Sequence, residues 1–308
     1  MMAAAMRGFT AWVALLVALT SWLLSHWLAW PVAVLASLAL AVIIHAVIVA
    51  AGFGLARLCA DRAGAAAPPG WVAAMPKEIF LSLRNMYADI PWRYRWPARR
   101  PRQPRGVVLL VHGYGCNRGI WRDLDTWLAE RGWAVSAVDL EPPHAGIDSF
   151  AGQVAAEATA LAAAMGVGQV TVIGHSMGGL AARTALCLAP DAPIGHVITL
   201  GTPHRGTWHA RFGRGQCAAQ MLPDSAWLAA LCAAEAPDAA GRCTCIASYH
   251  DNIVSPVERA LLPGAAATLV RRGVGHMALV HDPAVRAFLD ERLGQLHAAA
   301  TMAKSDAA

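Results

Sequence analysis

The sequence predicts an α/β domain, a parallel sheet of about six strands with helices on both faces, preceded by an apolar helical hairpin. The domain is predicted by short β-branched apolar runs that alternate with helical stretches from Gly106 to His297, the pattern of strands joined by crossover helices. The hairpin is predicted by the 49 residues between Arg7 and Arg57 that contain no Asp, Glu, Lys or Arg. One bilayer crossing takes about 20 helical residues, so one is too few and two fit. The division between the two parts is marked by charge. Residues 63–105 hold Lys77 and seven arginines against Glu78 and Asp89, whereas 106–308 hold 14 basic and 17 acidic residues.

Composition excludes several classes. The 308-residue chain is 56% hydrophobic and 15% charged, far too apolar to remain disordered. Its 27 Gly and 18 Pro exclude a coiled coil. The net charge of +5 suggests nucleic acid only until it is located, because the body itself is mildly acidic. No nucleic-acid partner is expected.

Within the apolar segment, Pro31 ends a helix and Trp27 and Trp30 suit a membrane interface. The expected hairpin (residues 1–60) has helices over about 9–28 and 32–56; the competing reading is a cleaved signal peptide over the first span. Arg7 before it and Arg57, Arg62 and the Arg93–Arg105 cluster after it place both ends on the cytoplasmic side. The chain therefore reads as an integral membrane protein, of a bacterial inner membrane, with a cytoplasmic body; a periplasmic body is the alternative. Residues 61–105 read as a basic juxtamembrane linker. In it, Ile79, Leu83, Met86, Tyr87 and Ile90 recur at helical spacing up to Pro91. That helix and the Arg/Trp strip after it read either as lying on anionic lipid or as a helix packed on the body followed by a solvated linker.

The body, residues 106–297, opens on the strand Gly106–His112, followed by a helix over Ile120–Arg131 and a strand over Trp133–Leu140. An Ala-rich helix over 150–165, the strand Gln169–Ile173, a helix over Gly179–Leu188 and the strand His196–Leu200 follow. Beyond an insertion come the strands Cys245–Tyr249 and Ala267–Arg271, a helix over Pro283–His297 and a tail, 298–308.

The chemistry lies in Gly174-His175-Ser176-Met177-Gly178-Gly179, between a predicted strand and a predicted helix. A Gly-x-Ser-x-Gly turn there lifts the serine above the sheet, with a helix N-terminus beside it to favour an anion. A serine hydroxyl needs a base, and the base needs an orienting carboxylate. Chain order Ser, acid, His leaves His276, His281 and His297 as candidate bases; His276, in the loop after the last strand, is preferred. Asp251 directly follows a strand and is the preferred acid over Asp224, Glu235, Asp238 and Glu258. The oxyanion donors are expected to be the backbone N–H groups of Met177 and, from the loop His112-Gly113-Tyr114-Gly115, of Tyr114.

These motifs, with Gly201-Thr202-Pro203-His204-Arg205-Gly206-Thr207 and Gly275-His276, resemble the α/β-hydrolase superfamily of the bacterial lipase/esterase type, over residues 106–297. The resemblance implies Ser176 as nucleophile, His276 as base, Asp251 as orienting acid, and Tyr114 and Met177 as oxyanion donors. Calcium-dependent members carry an aspartate two residues after the catalytic histidine, where this chain has Ala278. No metal and no cofactor are therefore expected. The apolar hairpin is the other departure, so secretion is not implied.

Residues 203–242 form an insertion too long for an ordinary connection; it reads as a small lid over an acyl pocket or as a packed side helix. The seven cysteines show no zinc spacing, and reduced thiols suit a cytoplasmic body, whereas a Cys232–Cys243 disulfide would suit the opposite face. The expected function is a membrane-anchored serine hydrolase acting on lipid or small ester substrates through an acyl-enzyme. An acyltransferase with the same triad, or an inert membrane-tethered binding module, are the alternatives.

Overall fold

A computed structural model describes residues 1–65, 68–94, 101 and 103–305. Six strands form one all-parallel sheet: β1 (Gly106–Val111), β2 (Trp133–Val138), β3 (Val170–His175), β4 (Ile194–Leu200), β5 (Cys243–Ser248) and β6 (Ala267–Arg271). Their order is β2-β1-β3-β4-β5-β6. The direction of winding reverses between β1 and β3, and open parallel sheets bind ligands in the crevice outside the strand ends at such a reversal. That point lies between the Gly113–Gly115 loop and Ser176.

The sheet is central because both its faces are apolar. In β1, Val107, Leu109 and Val111 pack with α6 (Ile147–Met165) and α7 (Met177–Leu188). Val108 and Leu110 of the same strand face α5 (Arg122–Glu130) and α10 (Pro283–Ser305). All five are at most 4% exposed, as the near-continuous apolar run requires of a strand covered on both sides. The last helix does not end at His297: it continues to Ser305 through the expected tail, whose Ala298-Ala299-Ala300 run favours helix.

The hairpin consists of α1 (Met2–Leu24) and α2 (Trp30–Arg62). Both are long and apolar enough to cross a membrane. Their bounds differ from the expected 9–28 and 32–56. Helix α1 starts at Met2 and already ends at Leu24, and Pro31 lies in the first turn of α2 rather than ending a helix. The exposed Arg57–Asp61 pair, one turn apart, does not interrupt α2 before Arg62. Small residues at the seam, Ser21, Ala33 and Ser37, are buried, while Leu15, Leu35, Val47 and Ile48 are exposed.

The segment expected as a linker folds against the body. Helix α3 (Trp71–Arg84) continues through one wide turn, Asn85–Asp89, into α4 (Ile90–Trp92). Leu81 and Ile90 enter the core beside α5, and Arg84 pairs with Asp89 at 2.8 Å and with Asp123 at 2.7 Å. Packing on the body is thus the outcome for this helix. The strip beyond it falls, at 95–100 and 102, outside the described residues.

The insertion comprises a turn at Trp208–Phe212, then α8 (Gln216–Gln220) and α9 (Ala226–Ala234). Its second part is bound to the body: Cys217, Met221 and Leu228 join the α6/α7 core. Gln220 accepts from the Ile147 N–H at 2.6 Å, and Arg183 makes a two-pronged ion pair with Glu235. The exposed part is the first turn, where Phe212 is 79% accessible. All seven cysteines are free, so Cys232 and Cys243 are not bridged.

Candidate active site

Ser176 follows β3 directly and begins α7 with φ 54° and ψ −126°. A non-glycine residue with that backbone is under strain of order 1–3 kcal/mol. It persists because the surroundings leave no alternative. A Cβ on Gly178 would overlap the Val111 and His112 carbonyls, and one on Gly113 would lie 2.9 Å from the Ser176 Cβ. The two glycines let the helix start and the loop after β1 close on the serine from both sides.

His276 lies in the loop after β6 and Asp251 in the loop after β5. His276 Nδ1–H donates to Asp251 Oδ2 at 2.8 Å, and the other Asp251 oxygen accepts from the Ile253 and Val254 N–H groups, each at 2.8 Å. Asp251 is 1% exposed and fully bonded. The His276 N–H donates to Asn252 Oδ1 at 3.0 Å, while its carbonyl accepts from His175 Nε2 at 3.1 Å. His175 also holds its ring 4.6 Å from the His276 ring. Thus Ser176 is one residue from a histidine that touches the candidate base twice. Among the described residues no hydrogen bond joins Ser176 Oγ to His276, as is common in a site without substrate.

Burial lowers the affinity of His276 for a proton, but the charge and hydrogen bond of Asp251, with the charge of Glu78 beyond, outweigh it and hold the imidazole above its ordinary 6.5. A base works only when neutral. Turnover by this site is therefore expected to rise with pH along a limb centred above 6.5; a kcat/KM profile with its limb at or below 6.5 would show that Asp251 and Glu78 do not outweigh burial at His276.

Of the candidate donors, Met177 is the first residue of α7, where N–H groups have no intrahelical acceptor. Tyr114 lies between Gly113 and Gly115 in the loop after β1. This loop is held by His112, whose Nδ1–H donates to the Gly113 carbonyl at 2.9 Å and whose Nε2 accepts from the Leu140 N–H at 2.9 Å. Burial keeps His112 neutral, as accepting that N–H requires. The Tyr114 hydroxyl accepts from the Arg214 N–H at 2.7 Å and so ties the loop to the exposed part of the insertion.

The alternative candidates lie elsewhere. His281 sits 3.6 Å from Asp123, His297 lies against Trp133, and Glu235 is bound to Arg183.

Sequence reasoning did not find Glu78. Its side chain is 2% exposed and reaches from α3 to the loop after His276, where Oε1 accepts from the Met277 N–H at 2.8 Å and Oε2 from the Ala278 N–H at 2.9 Å. Burial pushes its carboxyl upward, against those two bonds and the neighbouring His276. Both oxygens accept, which is the bonding of a carboxylate. Ala278, two residues after His276, is thus bonded to a carboxylate from the N-terminal segment. Among the described residues no group of three His, Cys, Asp or Glu could hold a metal ion.

The apolar hairpin docks on this same edge of the sheet. Ser255 Oγ donates to the Ala56 carbonyl of α2 at 2.7 Å, and a Cβ on Gly52 would meet the Asn252 carbonyl at 3.5 Å. His250 donates to the Pro68 carbonyl at 3.0 Å. On the far side of the crevice the Met1 ammonium pairs with Glu141 at 2.6 Å.

Residues 106–216 match the family described as "alpha/beta hydrolase fold". The body has the α/β-hydrolase fold. The chain resembles a triacylglycerol lipase of Pseudarthrobacter phenanthrenivorans, 34% identical over 116 residues, which cover 35% of this chain and 36% of the relative. It also resembles a triacylglycerol lipase of Burkholderia plantarii, again 34% identical over 116 residues, covering 35% and 32% respectively. The match spans about a third of the length of these relatives. Among solved structures, the mature lipase BlEst2 of Bacillus licheniformis superimposes with a TM-score of 0.56 at 17% identity, over 64% of this chain and 96% of that one. Aspergillus fumigatus lipase B does so with 0.55 at 17% identity, over 65% and 55%. These two establish the fold.

Proposed function

We propose that this protein is a membrane-anchored serine hydrolase of carboxylic esters, with apolar acyl or lipid esters as substrates. The observation that carries the reading is the strained Ser176 at the sheet's reversal point, beside a buried His276–Asp251 pair bonded at 2.8 Å. In this reading Ser176 Oγ attacks the ester carbonyl as His276 Nε2 takes its proton, and the Met177 and Tyr114 N–H groups hold the oxyanion. His276 returns the proton to the leaving alcohol. It then draws one from water, whose attack on the acyl-enzyme releases the acid and restores Ser176.

Two further facts favour a lipid substrate. The hairpin, long and apolar enough to cross a membrane, docks against the loop that carries Asp251. The relatives matched across residues of this domain carry the name triacylglycerol lipase. A body on the cytoplasmic face accords with Arg7, Arg57 and Arg62 flanking the hairpin and with seven free thiols.

The test is to label the detergent-solubilised full chain with a fluorophosphonate and map the adduct by mass spectrometry. A single adduct on Ser176 is expected. Pure protein that hydrolyses a nitrophenyl ester but bears no adduct there would overturn the assignment. Incubation with a competing alcohol in the same preparation separates hydrolysis from acyl transfer by its products.

A further inference from the structure

Between the C-terminal end of α2 and the Trp208–Phe212 turn lies a cavity of about 560 Å³, within the range of small-molecule sites. Its walls combine two chemistries. Leu55, Trp208 and Phe212 supply apolar surface, and Arg62, Arg211 and Arg259 supply guanidinium groups. No carboxylate among the described residues lines it. Among the described residues none of the three arginines forms an ion pair: Asp61, next to Arg62, is turned to Arg57, 3.9 Å away. Arg211 lies over the Trp208 ring, 4.5 Å from its centroid. Arg259 donates through Nη1 to the Arg205 carbonyl, and its Nε is buried without a partner. Three unpaired cations around one apolar hollow repel one another unless an anion joins them.

We propose that this cavity is a binding site for one anionic glycerophospholipid. The phosphate would sit among the three guanidiniums, which suit a phosphate's several acceptor oxygens. The acyl chains would leave over Leu55 and the exposed Phe212 and run along α2, whose surface toward its other end shows Val47 and Ile48 to solvent. A free anion accounts for the arginines alone. An anionic lipid accounts also for the aromatic wall and for the position of the cavity where an apolar helix gives way to charge at Arg57 and Arg62. The cavity also abuts Pro256, beyond Ser255 in the Asp251 loop, so occupancy would brace the loop that carries the candidate acid.

The inference rests on the reading of α2 as a membrane helix and is independent of the chemistry of Ser176. Resistance of the full chain to alkaline carbonate extraction tests that membrane reading separately. For the site itself, the detergent-purified full chain is exposed to equal amounts of dioleoyl phosphatidylglycerol and dioleoyl phosphatidylcholine, and retained lipid is counted by native mass spectrometry. One phosphatidylglycerol per chain is expected, preferred by about tenfold or more. The variant R62Q/R211Q/R259Q should lose the preference, whereas R105Q/R131Q, two cations that do not line the cavity, should keep it. Equal retention of the two lipids, or a preference that survives the triple change, would overturn the proposal. So would inorganic phosphate raising Tm as much as phosphatidylglycerol does, which would assign the cavity to a soluble anion.

Discussion

Ser176→Ala is expected to lower kcat toward a short nitrophenyl ester by a factor on the order of 10⁶, the loss seen when one member of a cooperating nucleophile–base unit is removed. Residual turnover above water would come from the N–H groups of Tyr114 and Met177, which the substitution leaves in place. KM should change little, because the hydroxyl contributes little to binding the ground-state ester. The substitution isolates chemistry from folding. Alanine inherits the φ of 54° at this position, so stability should be almost unaltered, whereas Ser176→Gly should remove the strain and add about 1 kcal/mol. Loss of activity in both variants, with a higher Tm only in the glycine one, would identify a residue held in a costly conformation for its reactivity. Retained turnover in pure Ser176→Ala protein would place the nucleophile elsewhere.

The parts of this site that were legible in the sequence are those defined by their neighbours in sequence. Ser176 is marked by the glycines that let α7 approach β1, and His276 and Asp251 by following directly on strands whose apolar runs are unmistakable. Glu78 carries no such mark. Its partners are the N–H groups of Met277 and Ala278, 199 and 200 residues away, and a glutamate in a basic segment reads most simply as a solvated counter-charge. The docking of α2 was hidden for a related reason. A helix apolar all round does not show which side meets protein and which meets lipid. One signal was present: Gly52, Ala56 and Ala60 recur every fourth residue, and Ala56 and Ala60 are 1% and 2% exposed. Small residues at that spacing allow close approach between helix and neighbour. The insertion was ambiguous because the same apolar residues suit a lid or a packed helix; Gln220 and Glu235, bonded to α6 and α7, decide for packing in its second part.

Glu78→Ala should therefore impair catalysis although residue 78 lies outside the residues 106–216 that match the family. The carboxylate is a positioning group. It fixes the two peptide N–H groups that follow His276, and their loss would leave buried donors unpaired, at about 1–3 kcal/mol for each. The loop would relax, and a displacement of the imidazole by about 1 Å costs on the order of 10² in rate. The expected signature is a kcat lowered about 10²-fold with KM little changed, together with a lower Tm. Glu78→Gln separates position from charge. It keeps a carbonyl oxygen for one of the two N–H groups but removes the negative charge that helps hold His276 above 6.5. Without that charge the imidazole loses its proton more readily, so the limb of the pH–rate profile should move to lower pH in Glu78→Gln than in the native chain. A residue that merely filled space would lower Tm and leave the limb where it was. If the limb stays fixed in Glu78→Gln while kcat is unchanged, the buried carboxylate serves folding alone. If it moves as expected, the segment that joins the apolar hairpin to the body supplies a charge on which His276, the proposed base, depends.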